Sequence, residues 1–188
     1  MHPEYLVKQL MTDTGASLVL FSPELIVVVT ILALLLVRLL SADRWLPGSA
    51  VALLGAVAGT TLAVMQFVDL TRGSGGGATQ ASSELFTGLL IYDTFTVYFR
   101  IFLLLFLVFM VCLTRISGIP DAEDAPDFYT LLFGSTLGMM LMASANHILV
   151  LFLAIEMTSV PSYALVGFLK GRKLSSEASL KYVVYGAG

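Results

Sequence analysis

Apolar runs of about 20 residues recur along this chain, and no other feature narrows its folding options as much. In hydrocarbon every backbone N–H and C=O must be paired within its own segment, so a run of that length crosses as an α-helix. Runs of this kind lie at residues 21–40, 49–68, 94–113, 128–145 and 148–168. Residues 176–188 begin a sixth helix that stops at Gly188, short of a crossing. The expected fold class is therefore all-α: one membrane domain over residues 1–188, a polytopic transmembrane helix bundle of five complete helices plus a truncated sixth. Either the chain is a piece of a longer protein, or another chain completes its last helix. Composition agrees, since 57% of the 188 residues are hydrophobic and only 12% charged. Mean hydropathy is +0.91, and an ordinary soluble domain has a smaller apolar share. The net charge of −3 leaves no basic surface for nucleic acid, and the lone Cys112 can form neither an internal disulfide nor a cysteine metal site.

The first run opens Ser22-Pro23-Glu24, a good helix start: proline suits the first turn and Glu24 complements the dipole. It is too long, and lacks the cleavage pattern, for a signal peptide. Residues 71–84, TRGSGGGATQASSE, are glycine-rich but lack the Gly-Lys-Ser/Thr ending of a phosphate loop, so they read as a flexible linker. Gly55 with Gly59, and Gly134 with Gly138, place small residues four apart, which permits close approach of neighbouring helices. Only a few polar residues around Asn146 and His147 separate the fourth and fifth runs, which predicts an antiparallel hairpin. With five crossings, Arg38, Arg44, Arg115, Lys170, Arg172 and Lys173 fall on one side, and Lys8 and Arg72 on the other. The positive-inside bias puts the Lys170–Lys173 loop in the cytoplasm and the N-terminus outside.

The run from Ile148 to Phe168 carries one carboxylate, Glu156, close to its middle. No headgroup layer is within its reach, and a charged carboxylate at that depth costs roughly 2.5–3.5 kcal/mol on insertion scales. Such a group faces a bundle interior, a cation or a water-filled cavity. Burial favours a neutral acid and a nearby cation favours an ionised one, so movement of one positive charge can switch a proton on or off. The alternative is a protonated glutamic acid that only hydrogen-bonds a neighbouring helix. Pro161, five residues on, has no amide hydrogen and crowds the carbonyl of Met157, opening the helix. Thr158, Ser159 and Ser162 surround the kink, and Ser159 shares the face of Glu156. These residues form either a hydratable notch or a packing kink relieved by hydroxyls. Lys181 is the second candidate, although Glu177 stands four residues before it in the orientation of an ordinary surface ion pair. Arg100 is expected to snorkel from the outer end of the third run. His147, at the mouth of the fifth, is either a satisfied boundary residue or a group suited to proton entry or exit.

SANHILVLFLAIEMTSVPSYALVGF, followed after a short basic loop by SSEASLKYVVYGAG, resembles subunit N of proton-pumping NADH:quinone oxidoreductase, counterpart of mitochondrial subunit 2. The acid-x-x-x-x-Pro helix and the later Ser-x-Glu-Ala-x-x-Lys-Tyr carry the likeness; Ser22-Pro23-Glu24 and YDTFTVYFRIFLLL agree more loosely. The resemblance implies part of an antiporter-like fold of about fourteen helices in two inverted repeats. It places Glu156 at the family's fifth-helix acid and Lys181 at its sixth-helix lysine. It further implies that the acid pairs with a lysine in a seventh helix outside these 188 residues, so that proton translocation belongs to the parent assembly. Other subunits would then hold NADH, FMN, the iron–sulfur clusters and quinone, while this one carries no cofactor. Its partners would be adjacent antiporter-like and small membrane subunits in the bacterial inner membrane. A subunit of an Mrp-type cation/proton antiporter or of a membrane-bound hydrogenase is the related alternative. A truncated, non-transporting membrane scaffold is another.

Overall fold

A computed structural model of the chain describes residues 14–15, 17–40, 47–73, 83–121, 124–168 and 173–187. Helix α1 spans Ser22–Leu39, α2 Gly48–Gly73, α3 Thr94–Ser117, α4 Ala125–Ser144, α5 Ile148–Val166 and α6 Lys173–Ala187. Between α2 and α3 lies an antiparallel hairpin, β1 (Ser83–Leu85) and β2 (Leu90–Tyr92), with Leu85 opposite Leu90. Among the described residues α1, α2, α3 and α5 are long and apolar enough to cross a membrane, which marks an integral membrane protein.

Helix α4 falls short of that apolarity for a structural reason. It packs against α1, α2, α3 and α5, and its buried surface includes Ser135, Thr136, Gly138 and Ser144. A helix enclosed by protein need not match lipid along its whole surface, and small polar side chains permit tight contact. At 20 residues it is about 30 Å long, enough for a crossing. The core around it comprises Val27 and Leu34 of α1, Ala56 of α2, Leu104 and Leu107 of α3, and its own Phe133 and Met140.

One glycine of each small-residue pair, Gly55 and Gly138, sits at a close contact. A Cβ on Gly55 would overlap the side chain of Thr30 in α1. One on Gly138 would meet Thr158 Oγ1 at 2.5 Å and the Thr158 amide at 2.7 Å, so α4 and α5 touch backbone to backbone there.

Helix α2 and the hairpin take the two ends of the expected linker at residues 71–84. Residues 71–73 finish α2, 74–82 lie outside the described residues, and 83–84 belong to β1. The hairpin turn, Phe86 to Leu89, places Phe86, Thr87 and Gly88 at φ of 51°, 59° and 85°. Positive φ at both central residues, Thr87 and Gly88, matches the right-handed twist of paired strands. Phe86 donates its amide to Ser17 Oγ (3.3 Å) and its ring meets Phe21 edge-on, while Asn146 donates to the carbonyls of Gly88 (2.9 Å) and Leu89 (3.0 Å). The hairpin thus gathers the start of α1, the α4–α5 turn and the start of α3 at one end of the bundle. At the opposite end Arg38 pairs with Asp127 (3.4 Å). This is the alternation that successive crossings require. Of the basic residues used for orientation, Lys8, Arg44, Lys170 and Arg172, and the side chain of Lys173, lie outside the described residues.

Candidate functional site

Glu156 is the ninth residue of the nineteen in α5. Ala154, the buried residue of this helix, and Thr158, which abuts Gly138, turn toward α4. Glu156 lies two positions from each, about 200° around the helix, and so points away from α4. It is exposed, among Leu149, Phe152, Leu153 and Val160 on a face that the described residues leave uncovered. Among the described residues it has no ion pair.

Behind the acid the turn around Pro161 is packed and partly satisfied. Ser162 Oγ donates to the Ser159 carbonyl (2.7 Å), Ser135 Oγ of α4 donates to the Thr158 carbonyl (3.3 Å), and Thr158 Oγ1 donates to the Ala154 carbonyl (2.9 Å). Pro161 faces Gly134, whose missing side chain leaves room for the ring. His147 caps α5: its Nδ1 accepts the Leu149 amide (3.2 Å), which requires that nitrogen to be unprotonated.

Lys181 does not meet Glu156. Its Nζ lies 2.6 Å from Glu177 Oε1 in an i,i+4 pair, with both side chains more than half exposed. Helix α6 starts at Lys173, three residues earlier than expected, and docks on the end of α5. Ser179 donates to the Tyr163 carbonyl (2.9 Å), and the rings of Tyr163 and Tyr182 meet edge-on, their centroids 4.8 Å apart. That register holds Lys181 near the level of Tyr163, about 10 Å along α5 from the acid.

A second charge site contradicts the expectation for Arg100. It does not snorkel: its side chain is fully buried against Glu24 of α1, with Nε 2.5 Å from Oε1 and both side chains 0% exposed. The contact lies off the N–H axis, an ion pair and not an aligned hydrogen bond. Arg100 Nη1 donates to the Leu20 carbonyl (3.2 Å), and Gln66 of α2 donates to the same oxygen and to Ser22 Oγ, both at 3.2 Å. The guanidinium also stands 5.5 Å from the centroid of the Tyr92 ring, a cation–π distance. Burial pushes the Tyr92 phenol above its ordinary value, against the pull of the Arg100 charge. The signal for this pairing is present in the sequence. Glu24 and Arg100 sit near the starts of the first and third apolar runs, which in an alternating bundle enter from the same side.

Residues 145–187 match the family described as NADH:quinone oxidoreductase/Mrp antiporter, TM. The chain is 36% identical to NADH-quinone oxidoreductase subunit N 2 of Sorangium cellulosum, over 93% of its own length and 34% of the relative's. It is 33% identical to subunit N of Erythrobacter litoralis, over 93% and 35%. It thus spans about a third of the length of these curated relatives. In space it resembles a chain of respiratory complex I from Thermus thermophilus, with a TM-score of 0.64 at 26% identity, covering 88% of this chain and 33% of that one. A chain of the archaeal membrane-bound sulfane sulfur reductase shares the fold, with a TM-score of 0.70 at 18% identity, covering 92% of this chain and 34% of that one.

Proposed function

Because this chain is a homologue of NADH-quinone oxidoreductase subunit N, of the antiporter-like membrane family, we propose that it serves as a proton-translocating membrane subunit of such a complex. In that role it couples quinone reduction elsewhere in the assembly to proton transfer across a bacterial inner membrane. Glu156 carries the reading: a carboxylate halfway along an apolar helix, just over one turn before Pro161, on a face left uncovered by the described residues. An acid in that position is retained where a cation or water meets it. The partner would be a lysine of a helix beyond these 188 residues. While Glu156 is ionised and close, that lysine holds its proton; when charge movement parts the pair, the lysine releases it. Lys181 would lie farther along the same path. NADH, FMN, the iron–sulfur clusters and quinone would be held by neighbouring subunits.

The test is Glu156→Gln in the complete complex, with proton uptake measured in membrane vesicles. The substitution keeps shape and hydrogen bonding and removes the charge, so pumping should fall while the complex stays assembled. Undiminished pumping would overturn the role.

The matched family's description also names Mrp antiporters, and an Mrp-type subunit is the second reading. Transport that needs sodium and continues without quinone reduction would select it.

A further inference from the structure

Beyond the Nε–Oε1 contact of the ion pair, Glu24, Gln66 and Arg100 leave three polar atoms buried without a hydrogen bond among the described residues: Glu24 Oε2, Gln66 Oε1 and Arg100 Nη2. They belong to one cluster, because Arg100 Nη1 and Gln66 Nε2 both donate to the Leu20 carbonyl. A buried polar atom without a hydrogen bond costs roughly 1–3 kcal/mol, and more when the group is charged. Three together call for a ligand. Its chemistry follows from the donor inventory: a carboxylate oxygen and an amide oxygen only accept, and a guanidinium nitrogen only donates. A metal cation would suit the two oxygens but meet the guanidinium charge. An anion would suit the guanidinium but meet the carboxylate. Water gives two hydrogens and accepts from a third group, and so matches the set.

We propose that one or two waters are held between Glu24, Gln66 and Arg100, making this ion pair the inner end of a hydrated pocket that opens on the hairpin side of the bundle. An open groove of about 460 Å³ reaches the cluster from that end, lined by Ser22, Gln66, Asp69 and Tyr92 with Leu62 and Met65. Gln66 belongs to both, so its amide stands where groove water meets buried water. The site is separate from Glu156, which faces away from the bundle on α5, and does not depend on its role. It provides a buried acid–base pair within the membrane domain, held by hydration in addition to its own attraction.

Two measurements on the intact assembly test this. A density map that resolves ordered waters elsewhere should show density within hydrogen-bond distance of Glu24 Oε2 and Arg100 Nη2. Ser22→Cys, in a Cys112→Ser background, should react with a membrane-impermeant thiol reagent applied to the hairpin side several-fold faster than Leu54→Cys, on the outward surface of α2. A dry pair in such a map, or Ser22→Cys reacting no faster than Leu54→Cys, overturns the proposal.

Discussion

Arg100 of α3 and Glu24 of α1 form an ion pair with no exposed surface on either side chain, at the end of the bundle where the hairpin also binds. Removing one partner strands a charge in a low-dielectric site and costs about 3–5 kcal/mol, whereas replacing both with apolar residues of similar volume is often close to neutral. Arg100→Leu and Glu24→Leu should each lower the thermal stability of the purified protein strongly. The double variant should recover most of the loss. Thermal unfolding of the four proteins gives the coupling, and additive losses would show that the two charges are held independently.

The contacts of α4 with α5 separate two glycines that the sequence presents as equivalent. At Gly134 the nearest atom to an added Cβ is Pro161 Cγ at 3.7 Å, an ordinary contact, while at Gly138 the added atom would press on the Thr158 backbone. Overpacking of this kind costs about 1–3 kcal/mol. Gly134→Ala should therefore be tolerated, and Gly138→Ala should destabilise the α4–α5 hairpin; melting temperatures of the two variants check it.

The pair of Lys181 with Glu177 is exposed and local, and such pairs contribute roughly 0.2–0.5 kcal/mol. Glu177→Gln should leave both stability and proton transport nearly unchanged. Lys181→Gln should leave stability unchanged and reduce transport. Equal transport in the two variants would confine Lys181 to the surface pair.

The helix positions were legible because lipid thickness fixes the length of each apolar run, and the start of α3 at Thr94 matches to the residue, where Asp93 accepts the Thr96 amide (2.7 Å). The C-terminal ends of α2 and α3 lie beyond the apolar runs that mark them. An apolar run ends at its first polar residues, Thr114 and Arg115 in α3, while the backbone continues to Gly118, whose φ of 68° closes the helix. The hairpin was hidden because three-residue strands show no alternation, and two of its positive-φ residues, Phe86 and Thr87, are not the types that signal such a turn. Depth within one helix alone suggests snorkelling for Arg100, but its partner comes from another helix that enters from the same side. The position of Glu156 could be read from sequence, but its partner could not, since no described residue supplies one.

Pro161 offers a way to separate a functional role from one in packing. Its ring nitrogen cannot donate to the Met157 carbonyl, and the hydroxyls of Ser135 and Ser162 serve the neighbouring carbonyls of Thr158 and Ser159 instead. Pro161→Ala restores one backbone hydrogen bond, a gain of about 0.5–1.5 kcal/mol, and gives up a ring contact beside Gly134 that is not tight. Melting temperature should therefore hold or rise. The substitution would also occupy the Met157 carbonyl, next to Glu156, which Pro161 leaves without its helical donor. Proton pumping in vesicles should fall even though the protein is no less stable. A variant that pumps normally would show that the proline serves packing alone.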